Sequence, residues 1–141
     1  MTPSDDRCRH LYIELLKRSL LGLVYEDGSN ITPAAFGQQA RRAGFDPALR
    51  QTGRDWPVQA PTMIGMERIN NLQHCVERVL ADNIAGDLIE TGVWRGGSCI
   101  FMRGLLKAHG VTDRIVWVAD SFEGLPPPNP DKYPHDKGLH F

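Results

Sequence analysis

A single run, Asp87-Leu88-Ile89-Glu90-Thr91-Gly92-Val93-Trp94-Arg95-Gly96-Gly97-Ser98, limits the folds open to this chain more than any other stretch. Leu88 and Ile89 form a short apolar run of the kind that marks a strand covered on both faces. Glu90 closes that strand. Gly92, Gly96 and Gly97 then make a loop whose backbone can adopt conformations closed to other residues and can be approached closely by a ligand. From Ser98 onward, Phe101, Met102, Leu105 and Leu106 recur at helical spacing, and Gly110 stands where a helix commonly stops. A second strand is expected over Arg114-Ile115-Val116-Trp117-Val118-Ala119, ending on Asp120. Strand, helix and strand of these lengths predict a parallel βαβ unit with a right-handed crossover, and so an α/β fold.

Ligands of such sheets sit beyond the C-terminal ends of the strands, where Glu90 and Asp120 both stand. The helix N-terminus points its N–H groups at the loop and can bind an anion such as a carboxylate. An acid two residues before the first loop glycine suits a ligand bearing an ammonium group, and it would repel a pyrophosphate. The methionyl end of S-adenosylmethionine is an amino acid and carries both groups. Asp120 can accept hydrogen bonds from two ribose hydroxyls. The simpler alternative is that it caps the turn Ser121-Phe122-Glu123-Gly124. Ser98 is either the helix N-cap or a ligand contact, and the two roles are compatible. NAD is the competing nucleotide, with its G-x-G-x-x-G fingerprint and an acid about 20 residues further on. Asp120 suits that acid spacing, but glycines at 92, 96 and 97 do not fit the fingerprint. Trp94 and Arg95 also put bulk where a dinucleotide needs a close approach.

The N-terminal segment reads as helices and loops. Tyr12, Leu16, Leu20 and Leu23 form a helical stripe, with Ile13 and Val24 beside it. Asp27-Gly28-Ser29-Asn30 breaks the chain. A short helix is expected from Thr32-Pro33 to Gly44, with Arg41-Arg42 at its negative end. Thr52 to Pro61 is expected to be loop, with Trp56 either a lid aromatic or a packed anchor. Met66, Ile69, Leu72, Val76, Val79 and Leu80 mark an amphipathic helix leading into the first strand. Pro126-Pro127-Pro128-Asn129-Pro130 is a stiff connector that cannot join a central strand.

Composition removes several function classes. The net charge is −1, and no basic stripe extends beyond Arg41-Arg42, which argues against nucleic-acid binding. No apolar stretch approaches the roughly 20 residues that span a membrane. The polar, acidic start, Met1 to Arg7, is unlike a secretory signal and points to the cytoplasm. Cys8, Cys75 and Cys99 are widely spaced and read as free thiols, with Cys75 and Cys99 as small packed residues. His109 ends a helix, where partial positive charge is favourable. His135 and His140 lie near Asp131 and Asp136, but a scattered set on a polar tail is more simply solvated. No metal ligand is assigned. Two strands are few for a sheet, so marginal stability and a tendency to aggregate are expected of the 141-residue chain.

Glu90-Thr91-Gly92-Val93-Trp94-Arg95-Gly96-Gly97, followed by Val116-Trp117-Val118-Ala119-Asp120-Ser121-Phe122-Glu123-Gly124-Leu125-Pro126-Pro127-Pro128, resembles the macrocin O-methyltransferase (TylF) family. Tyr12 to Leu20 and Pro61-Thr62-Met63-Ile64-Gly65 resemble that family's N-terminal segments, and the similarity runs from about residue 10 to about residue 134. The resemblance implies a class I, Rossmann-like methyltransferase fold. The chain would be its N-terminal part, a helical extension with the first parallel βαβ unit. It also implies methyl transfer from S-adenosylmethionine to a sugar hydroxyl of a macrolide-type or related natural product. Carried over, Glu90, Thr91, Gly92, Val93 and Trp94 would hold the methionyl part and Asp120 the ribose, with Ser98 and Ser121 in the same cofactor-binding set. Thr62 and Met63 would reach the cofactor from the N-terminal segment; loop packing is the plainer alternative for both.

The resemblance further implies that a further half, adding strands and helices, carries the acidic ligands of a divalent metal, usually magnesium, and the base that activates the hydroxyl. The chain is therefore expected to be a fragment or a truncated product, with no catalytic residue assigned in it and its own activity in doubt. One incomplete domain is expected, divided into a helical extension (8–82), the cofactor-binding βαβ unit (83–125) and a proline-rich tail (126–141). A full-length member would be a homo-oligomer, with the helices before the motif serving as lid and oligomer contact. The partner is a small glycosylated molecule. Two rival functions stand beside the methyltransferase reading: a non-catalytic S-adenosylmethionine-binding remnant or interaction module, and a fragment of an NAD-dependent oxidoreductase.

Overall fold

The computed structural model describes residues 3–31, 41–124 and 126–136. Helix α1 (Pro3–Leu20) has Asp5 and Asp6 in its first turn and Lys17 and Arg18 in its last, which complements the helix dipole. Of the expected stripe, Leu20 is buried and Leu16 and Leu23 pack against the core. Ile13, Lys17 and Leu20 are buried, whereas Tyr12 is 43% exposed. Lys17 can turn inward because its ammonium pairs with Glu14 and donates to Asn70 Oδ1 at 2.9 Å, while its stem covers apolar surface.

The segment between α1 and the long amphipathic helix differs most from expectation. Ser29–Ile31 (β1), Arg41–Ala43 (β2) and Trp56–Pro57 (β3) form a small antiparallel sheet in the order β2-β1-β3. Arg41-Arg42 therefore belongs to a strand rather than ending a helix; residues 32–40 of the expected helix lie outside the described residues. Runs of two or three residues carry no readable periodicity, and their pairing is set by partners remote in sequence. Between the expected helix, which stops at Gly44, and the expected loop, which starts at Thr52, Pro47–Thr52 is a further helix, α2. Asp46 caps it by accepting from Ala48 N at 2.8 Å and Leu49 N at 3.1 Å, and Gly53 closes it in the left-handed conformation.

Helix α3 (Gly65–Ala81) buries Ile69 and Val76 as its spacing predicts. Cys75 is exposed, which corrects its reading as a packed residue; it lies one position from Val76, off the buried face. Strand β4 (Leu88–Thr91), helix α4 (Gly97–Ala108) and strand β5 (Val116–Ala119) form the expected parallel unit. Leu88 pairs with Val116 and Thr91 with Ala119. Asp87 secures the start of β4 by accepting from Ile115 N and Trp117 Nε1, both at 2.9 Å, and those bonds hold its carboxyl below the ordinary range.

Extension and βαβ unit share one core, containing Ile13, Leu20, Leu21, Ile69, Val76, Val93, Phe101, Met102 and Leu105. Leu88 and Val116 pack against it from one face of the parallel pair. On the other face Ile89 and Trp117 stand side by side, 61% and 52% exposed. No helix among the described residues is long and apolar enough to cross a membrane.

Candidate functional site

The parallel register brings the two acids together at one end of the sheet. Glu90 is opposite Val118, and Asp120 follows Ala119, the last residue of β5. Gly92 N donates to Ala119 O at 2.9 Å and extends the ladder one step past the strand. Asp120 then spans two loops. Its Oδ2 accepts from Val93 N at 2.6 Å and its Oδ1 from Phe122 N at 3.1 Å, with Ser121 Oγ at 3.5 Å. Led by the Val93 N–H, these donors hold its carboxyl below the ordinary value of 3.8. Asp120 is thus a turn cap. A carboxylate has about four lone-pair sites, so this capping leaves capacity for hydroxyls. Ser121 closes the turn, donating to Gly124 O and accepting from Glu123 N, both at 3.3 Å.

The three loop glycines do different work. Gly92 and Gly96 each have φ +81°, and a Cβ on either would meet nothing within 4 Å among the described residues. Beside them the main chain faces open space, as a bound ligand requires. Gly97 is closed in: a Cβ there would lie 2.6 Å from both Pro61 O and Thr62 Cβ. The close approach at Gly97 is made by the chain itself, and its N–H donates to Pro61 O at 3.0 Å. The first N–H of α4 is therefore already engaged. Gly96, not Ser98, is the N-cap of α4. Ser98 lies inside the first turn and is buried, so the capping role expected for it is corrected. A left-handed glycine ends the loop so abruptly that the helix begins before the serine.

Thr62 is buried against Gly97 and accepts from Ile64 N at 3.4 Å, with Met63 half-buried beside it. The plainer alternative, loop packing, describes Thr62 in this structure. Thr62 nonetheless borders the glycine loop at Gly97, across a long stretch of sequence. Val93 is buried in the core, and Thr91 is exposed at the end of β4. Trp94 is 47% exposed with a left-handed backbone, φ 53°. Glu90 is half-buried and accepts the thiol of Cys99 at 3.0 Å. Burial, together with that carboxylate, pushes the Cys99 pKa up to about 12, so the thiol stays a neutral donor.

Several residues support the site in ways that their place in the sequence did not reveal. Arg95 Nη1 donates to the carbonyls of Pro57, Val58 and Ala60 at 3.2, 3.1 and 3.3 Å, and its guanidinium lies 4.1 Å from the centroid of the Trp94 ring. Behind segment 57–62, Asp27 Oδ2 accepts from Gln59 N and Ala60 N, both at 2.9 Å. Arg50, fully buried, pairs with Asp55 at 2.7 Å and donates to Asp27 O at 2.8 Å and to Leu21 O. Ser29 Oγ donates to the same Asp55 oxygen at 2.6 Å. Asp27 and Ser29, legible only as breaker residues, are parts of this bracket, and Trp56, expected in a loop, pairs with Asn30 in the small sheet.

His109 Nε2 lies 3.3 Å from Glu77 Oε1, which adds a carboxylate to the helix end as a partner for its positive form. Among the described residues no three His, Cys, Asp or Glu side chains gather as a metal site; His140 lies outside them.

The family model for macrocin-O-methyltransferase (TylF) matches residues 9–141. The chain is 52% identical over 135 residues to the mycinamicin III 3''-O-methyltransferase of Micromonospora griseorubida, covering 93% of this chain and 50% of that protein. It is 49% identical over 129 residues to the demethyldecarbamoylnovobiocin O-methyltransferase of Streptomyces niveus, covering 92% of this chain and 48% of that one. The solved structure of the O-methyltransferase NovP superposes with a TM-score of 0.71 at 50% identity, over 84% of this chain and 44% of NovP. The chain spans about half the length of the curated relatives it matches.

Proposed function

This chain belongs to the macrocin-O-methyltransferase (TylF) family, and from that footing we propose that it is the methyl-donor-binding part of an S-adenosylmethionine-dependent sugar O-methyltransferase. One observation carries the reading. Glu90 and Asp120 stand at the ends of adjoining parallel strands, and between them lie two left-handed glycines with open space beside the main chain. An amino-acid ammonium fits Glu90, and ribose hydroxyls fit the lone pairs of Asp120 that Val93 and Phe122 do not use. We assign Thr91, Trp94 and Ser121 to the same site, together with Thr62, which packs against the loop at Gly97, and its neighbour Met63.

S-adenosylmethionine, when bound, supplies a methyl group on a positively charged sulfur. The residues described here bind and orient that donor, and none is assigned to activation of the hydroxyl. A further relative, 52% identical over 133 residues, is named as acting on a rhamnosyl-bearing tetracenomycin C in Streptomyces olivaceus, and by that likeness the acceptor here is a sugar hydroxyl. Magnesium and self-association come with the family resemblance. No three potential ligands meet among the described residues, so no step is derived through a metal.

Calorimetric titration of S-adenosylhomocysteine into the 141-residue chain, with NAD as control, tests the reading. Micromolar binding of the first alone is expected, with at least tenfold loss in Glu90→Ala and in Asp120→Ala. Unchanged affinity in both variants would remove the cofactor site. The open Ile89–Trp117 face favours a second reading, a donor-binding module that acts only with a partner. Donor binding without methyl transfer to any glycoside tested would favour it.

A further inference from the structure

We propose that Arg95 is a positioning residue for the methyl donor, setting the glycine loop by tying it to segment 57–62. The inference rests on the cofactor reading above and goes beyond it, because Arg95 touches neither acid.

Four observations converge. One guanidinium nitrogen lies within 3.3 Å of three carbonyl oxygens of one segment, those of Pro57, Val58 and Ala60. The guanidinium also lies over the Trp94 ring, 4.1 Å from its centroid, in cation–π geometry. Trp94 holds a backbone conformation that bulky residues rarely adopt, and such a conformation persists only where its surroundings fix it. The carbonyls Arg95 grips are themselves held. Ala60 is fully buried, its N–H and that of Gln59 donate to Asp27, and Val58 N donates to Gly28 O at 3.0 Å.

The same segment is latched to the loop a second time by Gly97 N and Pro61 O, with no room for a side chain at Gly97. Arg95 and Gly97 therefore flank Gly96, whose open side faces the candidate ligand space. Loosening either latch lets the main chain at Gly96 move relative to Glu90. Lysine cannot replace this arrangement, because a point charge on a flexible stem lacks the planar fork that stacks and bridges together.

A competing role for Arg95 is direct contact with the donor's carboxylate. A double-mutant cycle with Asp27→Asn separates the two. Asp27 lies behind the segment, so positioning predicts strongly non-additive losses, whereas direct contact predicts additive ones.

The experiment combines S-adenosylhomocysteine titration with amide hydrogen exchange on the full chain. Arg95→Ala is expected to weaken binding at least tenfold and to speed exchange of the Gly97 amide at least tenfold. The Leu105 and Leu106 amides inside α4 should exchange as in the wild type. Arg95→Lys should lose most of the same affinity. Wild-type affinity in Arg95→Ala, unchanged Gly97 exchange, or additive losses in the cycle would each overturn the proposal. If Arg95→Ala does not fold, full affinity in Arg95→Lys overturns it equally. A wild-type chain that binds no S-adenosylhomocysteine removes the cofactor reading and this role with it. A wild-type chain that binds, beside a variant that binds as well, removes this role alone.

Discussion

The small antiparallel sheet of the N-terminal segment and the parallel pair β4–β5 are held by different means. Around the first, a fully buried Arg50 joins Asp55, Asp27 O and Leu21 O, and Ser29 and the N–H groups of Gln59 and Ala60 complete the network. The second has one face on an apolar core and leaves Ile89 and Trp117 in the open on the other. The sheet with the recognisable motif is thus the more open one, and the sheet without a motif is the more interlocked. A ligand-recognising end must keep acceptors and main chain accessible, so its rigidity has to come from neighbours. Here that neighbour is segment 57–62, which the buried network holds in place.

Removing the charge that organises the bracket should have the largest effect. Arg50→Met leaves the Asp55 carboxylate buried without its guanidinium, its Oδ1 having no partner among the described residues, and should cost about 3–5 kcal/mol in urea unfolding. A loss under about 1 kcal/mol would show that the bracket is not interlocked. Next comes thiol reactivity. Iodoacetamide at pH 8 should modify exposed Cys8 and Cys75 and spare Cys99, whose pKa is pushed up to about 12, with rates at least about a hundredfold apart. Equal modification would mean that the Glu90–Cys99 contact opens freely.

Asp46→Ala removes the α2 cap and should cost about 1 kcal/mol, read as a lower melting temperature. On the open face, Ile89→Thr should change stability by less than about 0.5 kcal/mol and reduce self-association in sedimentation. A larger loss would mean that this face is covered in solution.

The smallest effect is confined to acid. Asp120 has a folded pKa below its ordinary 3.8, so its bonds stabilise the loop above that value and are lost as pH falls through the folded pKa. The Val93 amide should therefore exchange faster in acid only, and Asp120→Asn should abolish that pH dependence. Because the carboxyl is exposed, solvent keeps the effect small.

The parallel unit was legible because its elements are long enough to show a period: Phe101, Met102, Leu105 and Leu106 define α4, and Ile69 and Val76 define α3. Glu90 and Asp120 could be placed at strand ends because each follows an apolar run directly. The cap of α2 was written in the chain as Asp46-Pro47 and Gly53, but a helix of six residues shows no period to draw attention to it. β1, β2 and β3 could not be read, since two- and three-residue strands exist only through their partners. Lys17 and Arg50 stand inside because specific acceptors meet them there, which average polarity does not reveal.

Contiguous residues carry the family, the βαβ unit and the pair of acids at its mouth, because local spacing and a ligand-shaped motif need no distant partner. Only the tertiary structure decided that Gly97 accommodates Pro61 and Thr62, that Asp120 caps a turn, that Gly96 rather than Ser98 begins α4, and that Arg95 grips a segment more than 30 residues earlier. Those facts depend on which distant donors and acceptors the packed core brings within bonding distance, and no local pattern encodes that distance.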